Sequence, residues 1–235
     1  MKIIVKKSDE FIEYEIPLEG ATLLEALTYV KTKLDNTLAF SSGCRSSVCG
    51  SCSMRVNERE VLACSYKVQD GDRVEPLKNV EVLRDLVVDM DKAYSFNAKA
   101  SAWLNASASS VTLNDEDEKI NELQSDCILC GSCYSACPVY AVNPDFLGPF
   151  ALTRVWKYVG DRREDGAQEK VTNIQTSGVW DCTLCNECTL VCPQNISSKA
   201  DIEKLRMKSA QYGFMDPSFA SFGGVFGSFD GSPSF

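Results

Sequence analysis

Twelve cysteines fall into three groups of four, with none left over. Cys44, Cys49, Cys52 and Cys64 read C-x4-C-x2-C-x11-C. Cys127, Cys130, Cys133 and Cys137 read C-x2-C-x2-C-x3-C-P, and Cys182, Cys185, Cys188 and Cys192 repeat that second spacing. Grouped thiols are used either in disulfides or on metal. The N-terminus, MKIIVKKSDEFIEYEI, has no long apolar core and no small-residue cleavage site, so it is not read as a secretory signal. In an intracellular chain such spacings mean metal. The sequence contains no histidine, which removes Rieske ligation, a haem axial histidine, Ser–His–Asp chemistry and most zinc hydrolase sites together.

The first spacing is that of a plant-type [2Fe–2S] site, with Cys44, Cys49 and Cys52 on one loop and Cys64 arriving later. Gly43 and Gly50 let the loop turn tightly and present N–H groups to sulfur. Ser46, Ser47 and Ser51 can add hydrogen bonds that tune the site. Arg45 either neutralises cluster charge or is merely solvated. Structural zinc pairs two CxxC or CxxH knuckles, and C-x4-C-x2-C fits that poorly. The other two groups have bacterial-ferredoxin spacing, in which the fourth cysteine of each run serves the other cluster. One [4Fe–4S] set is therefore Cys127, Cys130, Cys133 and Cys192, and the other is Cys137, Cys182, Cys185 and Cys188. Pro138 and Pro193 turn the chain away after each fourth cysteine.

The 235 residues suggest one large domain or two small ones, and the pattern divides them. The expected fold is α+β: an N-terminal β-grasp [2Fe–2S] domain (1–95), a connector (96–114), an α-helical two-cluster domain (115–212), and a Phe/Gly/Ser-rich tail (213–235). Ile3–Val5 and Phe11–Ile16 alternate as half-buried strands do. Thr22 can cap a helix from Leu23 to about Lys33, with Glu25 in its first turn and Leu23, Leu24, Leu27 and Val30 on its apolar face. Further strands are expected at Ser53–Val56, Val61–Ala63 and Arg73–Pro76. Helices are expected at Asp115–Gln124, Pro149–Val159, Gln168–Gln175 and Lys199–Tyr212. Trp156 and Trp180 are read as core, and Lys6–Lys7 and Arg162–Arg163 as solvated faces. The tail carries six phenylalanines, which suggests an ordered docking segment.

A net charge of −9 opposes binding to nucleic acid or to anionic lipid. No apolar run reaches the roughly 18 residues of a membrane span. No GxGxxG or Walker pattern is present, so no nucleotide is expected on this chain.

SSGCRSSVCGSCSMRVN, LACSYKV, LRDLVVDM and both CP-ending repeats together resemble the iron–sulfur subunit of succinate dehydrogenases and fumarate reductases, over residues 1 to about 210. The resemblance implies an electron-transfer subunit with no catalytic residue of its own. It would lie between a FAD-containing flavoprotein, where dicarboxylate chemistry occurs, and a membrane-side partner linked to quinone or quinol. It also implies peripheral membrane association, on the cytoplasmic side by default and on the periplasmic side if a partner's signal exports the complex. Three positions depart from the usual pattern. Cys185 stands where a non-cysteine leaves a [3Fe–4S] cluster, so a full [4Fe–4S] is expected, with [3Fe–4S] the alternative if Cys185 is not a ligand. Val142 stands where an aromatic is expected, and Thr183 where a histidine is common. These departures fit the E-type subgroup, whose membrane-side partner is a CCG-domain subunit and some of whose members reduce fumarate with methylmenaquinol. A competing reading is the electron-transfer subunit of a heterodisulfide- or thiol-linked reductase complex. Residues 1–90 count against it, because its small ferredoxin-like subunits lack a [2Fe–2S] domain.

Overall fold

The computed structural model describes residues 1–106 and 111–220. The tail expectation beyond residue 220 lies outside the described residues. The N-terminal half is a five-stranded sheet: β1 (Lys2–Lys7), β2 (Glu10–Glu15), β3 (Ser53–Val56), β4 (Arg59–Leu62) and β5 (Asp72–Glu75), in the order β2-β1-β5-β3-β4. Only β1 and β5 run parallel, with Ile3 opposite Asp72 and Val5 opposite Val74. Helix α1 (Leu23–Tyr29) packs across the sheet. Thr22 accepts the Glu25 N–H and the Glu25 carboxylate accepts the Thr22 N–H, a complete capping box. Leu23, Leu24, Ala26 and Leu27 are buried with Ile3, Val5, Ile16, Met54 and Val74 in one apolar core. These layers are a β-grasp.

The helix does not stop at Tyr29. It continues as a π-helical turn, Val30–Leu34, closed by the Asp35 N–H donating to the Val30 carbonyl at 2.8 Å. Asp35 is held from the sheet side by Lys7 Nζ (2.5 Å) and the Tyr14 hydroxyl (2.7 Å). These contacts hold the end of the π-turn against the sheet. Lys7 is therefore half-buried and paired, where the sequence suggested a solvated face.

LRDLVVDM forms most of a hairpin, β6 (Glu81–Arg84) and β7 (Val87–Asp89). Its turn residue Asp85 is 2% exposed. The carboxylate accepts the backbone N–H of Ser8 (3.1 Å) and of Ala39 (2.8 Å), tying the hairpin to two N-terminal loops. Part of the expected connector is helical. Helix α2 (Asp91–Lys99) places Ala93 and Phe96 in the second core.

The C-terminal half comprises α3 (Asp115–Ser125), α4 (Ser132–Ser135), α5 (Pro138–Val142), α6 (Pro149–Val159), α7 (Ala167–Asn173), α8 (Glu187–Leu190), α9 (Ser198–Gln211) and the short α10 (Pro217–Ala220). Apolar α6 is its centre and packs on α9, α3, α7 and α2. Trp156 and Trp180 lie against this core, as their sequence context suggests.

Asp201 of α9 is 1% exposed and accepts a hydrogen bond from Gln124 Nε2 of α3 at 2.8 Å. Burial pushes its carboxyl up to about 6, opposed by Gln124 and the Lys204 ammonium. The folded form thus prefers this group protonated. The stability it contributes is present in full below the unfolded value near 4 and is lost as pH rises through 6. Asp201→Asn should remove that slope. The variant's thermal midpoint, relative to the parent, should rise between pH 5.5 and pH 8. A constant offset across that range would contradict the assignment.

Candidate metal centres

Residues 44–49 form a loop in which Arg45 and Ser47 both take left-handed φ of 60°. Alternation of this kind turns successive N–H groups inward into an anion-holding nest. Cys44 Sγ accepts from the N–H of Ser46 (3.4 Å), Val48 (3.3 Å) and Cys49 (3.3 Å). Cys49 Sγ accepts from the Cys44 N–H, and Cys64 Sγ from the Ser47 N–H, each at 3.3 Å. The Ser46 and Val48 N–H groups lead in drawing the Cys44 thiol down to about 6. Cys52 is buried beside Cys64, and burial pushes it up to about 11. The donors are not the glycine N–H groups that the sequence suggested. Gly43 provides space instead, since a Cβ there would lie 2.9 Å from Cys49 Sγ. Of the serines, Ser47 Oγ is 3.6 Å from Cys64 Sγ, while Ser46 Oγ donates to the Cys44 carbonyl.

The two ferredoxin-spaced runs share one backbone form. Leu129 (φ 53°) and Leu184 (58°) precede Cys130 and Cys185, and Gly131 (82°) and Asn186 (73°) follow them. A left-handed leucine costs about 1–2 kcal/mol, and such strain persists only where the surroundings impose it. Here it directs N–H groups at sulfur: Leu184 N–H donates to Cys182 Sγ at 3.4 Å. After the fourth cysteines, Tyr140 N–H donates to Cys137 Sγ and Ile196 N–H to Cys192 Sγ, each at 3.4 Å.

Cys127, Cys130, Cys133 and Cys192 line one cavity, walled also by Ile128, Leu129, Phe150 and Ile196. Thus the last cysteine of the second run stands with the first three of the first run. Cys137 lies within electrostatic reach of Cys182 and Cys185, and Cys188 within reach of Cys182, Cys137 and Cys185. Cys133 also feels Cys188, so the two sets adjoin. Burial raises Cys127, Cys130, Cys133, Cys137 and Cys182 above the ordinary thiol range and pushes Cys188 up to about 12. Thiols in such surroundings need a bound cation to ionise. Four soft donors per set, N–H groups aimed at sulfur and, in the second set, an apolar wall fit iron–sulfur clusters.

The sets are brought together by the junction between the halves. Gly50, between Cys49 and Cys52, takes φ +71°, and a Cβ there would lie 2.8 Å from Cys130 Cβ and from the Ile128 carbonyl oxygen. Ser53 Oγ meets Ser132 Oγ at 2.9 Å, and Ser135 Oγ donates to Glu60 Oε1 at 2.7 Å. Asn79 Nδ2 donates to the Tyr134, Ser135 and Cys137 carbonyls.

Arg206 of α9 is a site residue that sequence reading missed. It donates to the carbonyls of Val179 (3.0 Å), Trp180 (3.3 Å) and Cys182 (2.6 Å), and lies 5.4 Å over the Trp180 ring. It sits 24 residues beyond Cys182 on another element, and no spacing signals it.

Two family models match the chain: a 2Fe-2S iron-sulfur cluster binding domain over residues 4–95 and a 4Fe-4S dicluster domain over residues 123–196. The fumarate reductase iron-sulfur subunit of Mycobacterium tuberculosis is 35% identical over 221 residues, covering 88% of this chain and 89% of that protein. The 8-methylmenaquinol:fumarate reductase iron-sulfur subunit of Wolinella succinogenes is 34% identical over 236 residues, covering 91% and 74%. A chain of the Mycobacterium smegmatis Sdh1 complex in the apo form shares the fold, with a TM-score of 0.78 at 23% identity over 90% of this chain and 95% of that one. The chain belongs to the family of iron–sulfur subunits of succinate dehydrogenases and fumarate reductases. No helix among the described residues is long and apolar enough to cross a membrane.

Proposed function

We propose that the chain is the electron-relay subunit of an E-type succinate dehydrogenase or fumarate reductase complex. It lies between a FAD-bearing dicarboxylate subunit and a membrane-side, quinone-linked CCG-domain subunit, and is held at the membrane, on its cytoplasmic side, by those partners. Cys44, Cys49, Cys52 and Cys64 would hold a [2Fe–2S] cluster. Cys127, Cys130, Cys133 and Cys192 would hold one [4Fe–4S] cluster, and Cys137, Cys182, Cys185 and Cys188 the other. When bound, such clusters supply reversible one-electron uptake and release.

The chain's own groups hold and tune. The N–H nest of residues 46–49 stabilises negative charge on Cys44, and the apolar wall of the second set keeps water from its sulfurs. The observation that carries the subgroup is Cys185, a fourth thiol beside Cys137, Cys182 and Cys188. Val142 supports it. It ends α5 as a small aliphatic side chain, 83% exposed, where the resemblance leads one to expect an aromatic.

The protein should be purified anaerobically from its native source and assayed with artificial dyes for succinate oxidation and fumarate reduction. Dicarboxylate activity with a co-purifying flavin-bearing chain is expected. The oxidised sample should lack the isotropic [3Fe–4S] paramagnetic signal. A strong one in intact protein would remove Cys185 from the ligand set, and a flavin-free, inactive preparation would sink the complex.

A further inference from the structure

Ser47 is a non-glycine residue in left-handed backbone, which costs about 1–2 kcal/mol unless its surroundings determine it. Both sides of it are occupied. Its own N–H faces Cys64 Sγ at 3.3 Å. Its carbonyl accepts a hydrogen bond from Gln194 Nε2 at 3.0 Å, across 147 residues of sequence. That carbonyl belongs to the Ser47–Val48 peptide, whose N–H donates to Cys44 Sγ at 3.3 Å. The three groups form a chain: side-chain amide to peptide carbonyl, peptide N–H to sulfur. Hydrogen bonds in series polarise one another, so a donor on the carbonyl strengthens the N–H at the far end.

We infer that Gln194, from the C-terminal half, is a positioning residue for the first cysteine set, orienting and polarising the Ser47–Val48 peptide that donates to Cys44. Gln194 follows Cys192 and Pro193 and also lines the cavity of the second set. One side chain therefore joins the backbone of one site to the wall of the next. The consequence is that the N-terminal half alone does not hold the first site in its native form. Hydrogen bonds to sulfur raise the reduction potential of a cluster by stabilising the added electron's charge.

The inference rests on the proposed [2Fe–2S] reading of Cys44, Cys49, Cys52 and Cys64, and the experiment separates the two. The full complex is titrated anaerobically, with paramagnetic resonance following each site. Absence of a [2Fe–2S] signal in the unsubstituted protein would overturn the cluster reading and the inference with it. Given that signal, Gln194→Met, close in shape but without a donor, should shift the [2Fe–2S] midpoint to lower potential and alter its g-values. The second and third sites should move less. Gln194→Asn, which keeps the amide but withdraws it by one methylene, should shift it in the same direction. Ser135→Ala breaks the bond to Glu60 elsewhere in the same junction and should leave the [2Fe–2S] midpoint in place. An unmoved midpoint in the Met and Asn variants, or an equal shift in Ser135→Ala, would overturn the role.

Discussion

Gly50→Ala should cost the protein roughly 2–5 kcal/mol of stability and push its first two cysteine sets apart. Two effects combine in that figure. At φ +71° an alanine meets the left-handed penalty of about 1–2 kcal/mol. The added Cβ would also fall 2.8 Å from Cys130 Cβ, 2.8 Å from the Ile128 carbonyl oxygen and 2.9 Å from Cys130 Cα. These neighbours are backbone or the first atom of a side chain, so no flexible end can swing aside, and overpacking of this kind costs about 1–3 kcal/mol. The clash lies between the loop of the first set and the loop that opens the second. Gly20→Ala is the control, because it has a similar φ of +66° and nothing within 4 Å of its Cβ. Thermal unfolding should show a small loss for Gly20→Ala and a larger one for Gly50→Ala. The spin–spin interaction between the first two sites should weaken in Gly50→Ala alone. Equal losses in the two variants would mean that the close approach of the loops carries no energy.

The pairing of cysteine with spacing made the three sets legible, because iron–sulfur ligation imposes short, fixed loops. The β-grasp layers were legible from alternation in Ile3–Val5 and from Thr22 and Glu25, which cap α1 as their order implies. What escaped has a common cause. Leu129 and Leu184 sit in left-handed backbone that no leucine advertises. The only trace is the matching Leu-Cys-Gly/Asn-x-Cys order of the two repeats. Asp85, Arg206 and Gln194 each act on backbone atoms 24 or more residues away, and a single polar side chain carries no sign of a distant partner. Helix α2 lies in an Ala/Ser/Asn-rich stretch with weak amphipathic pattern, and burial of Ala93 and Phe96 against the second core decides it. The same core explains why the repeats depend on each other. Each supplies its fourth thiol to the other's surroundings, and α6 and α9 close over both.

Lys170→Met should be among the most damaging substitutions away from any cysteine. The side chains of Lys170 and Glu164 are both 0% exposed, with Nζ 3.0 Å from Oε1. The Glu164 carboxylate also accepts the N–H of Gly166 at 2.6 Å and of Asn105 at 3.0 Å, and residue 106 pairs with residue 164 as an isolated β-bridge. The pair thus anchors the segment leaving the second core to the turn before α7. Methionine fills most of the lysine's volume, so the loss would come from charge rather than from a cavity. Removing one partner of a buried pair leaves the other uncompensated and costs about 3–5 kcal/mol. Two N–H donors soften the penalty for Glu164 but cannot neutralise it. Lys170→Met combined with Glu164→Gln removes both charges and keeps an acceptor for the backbone donors, so it should recover much of the loss. A double variant as unstable as the single would show that lysine packing, not the unpaired carboxylate, is what matters. Denaturant unfolding of the four proteins reads the coupling directly, and the resonance signals of all three sites should be unchanged in whatever fraction remains folded.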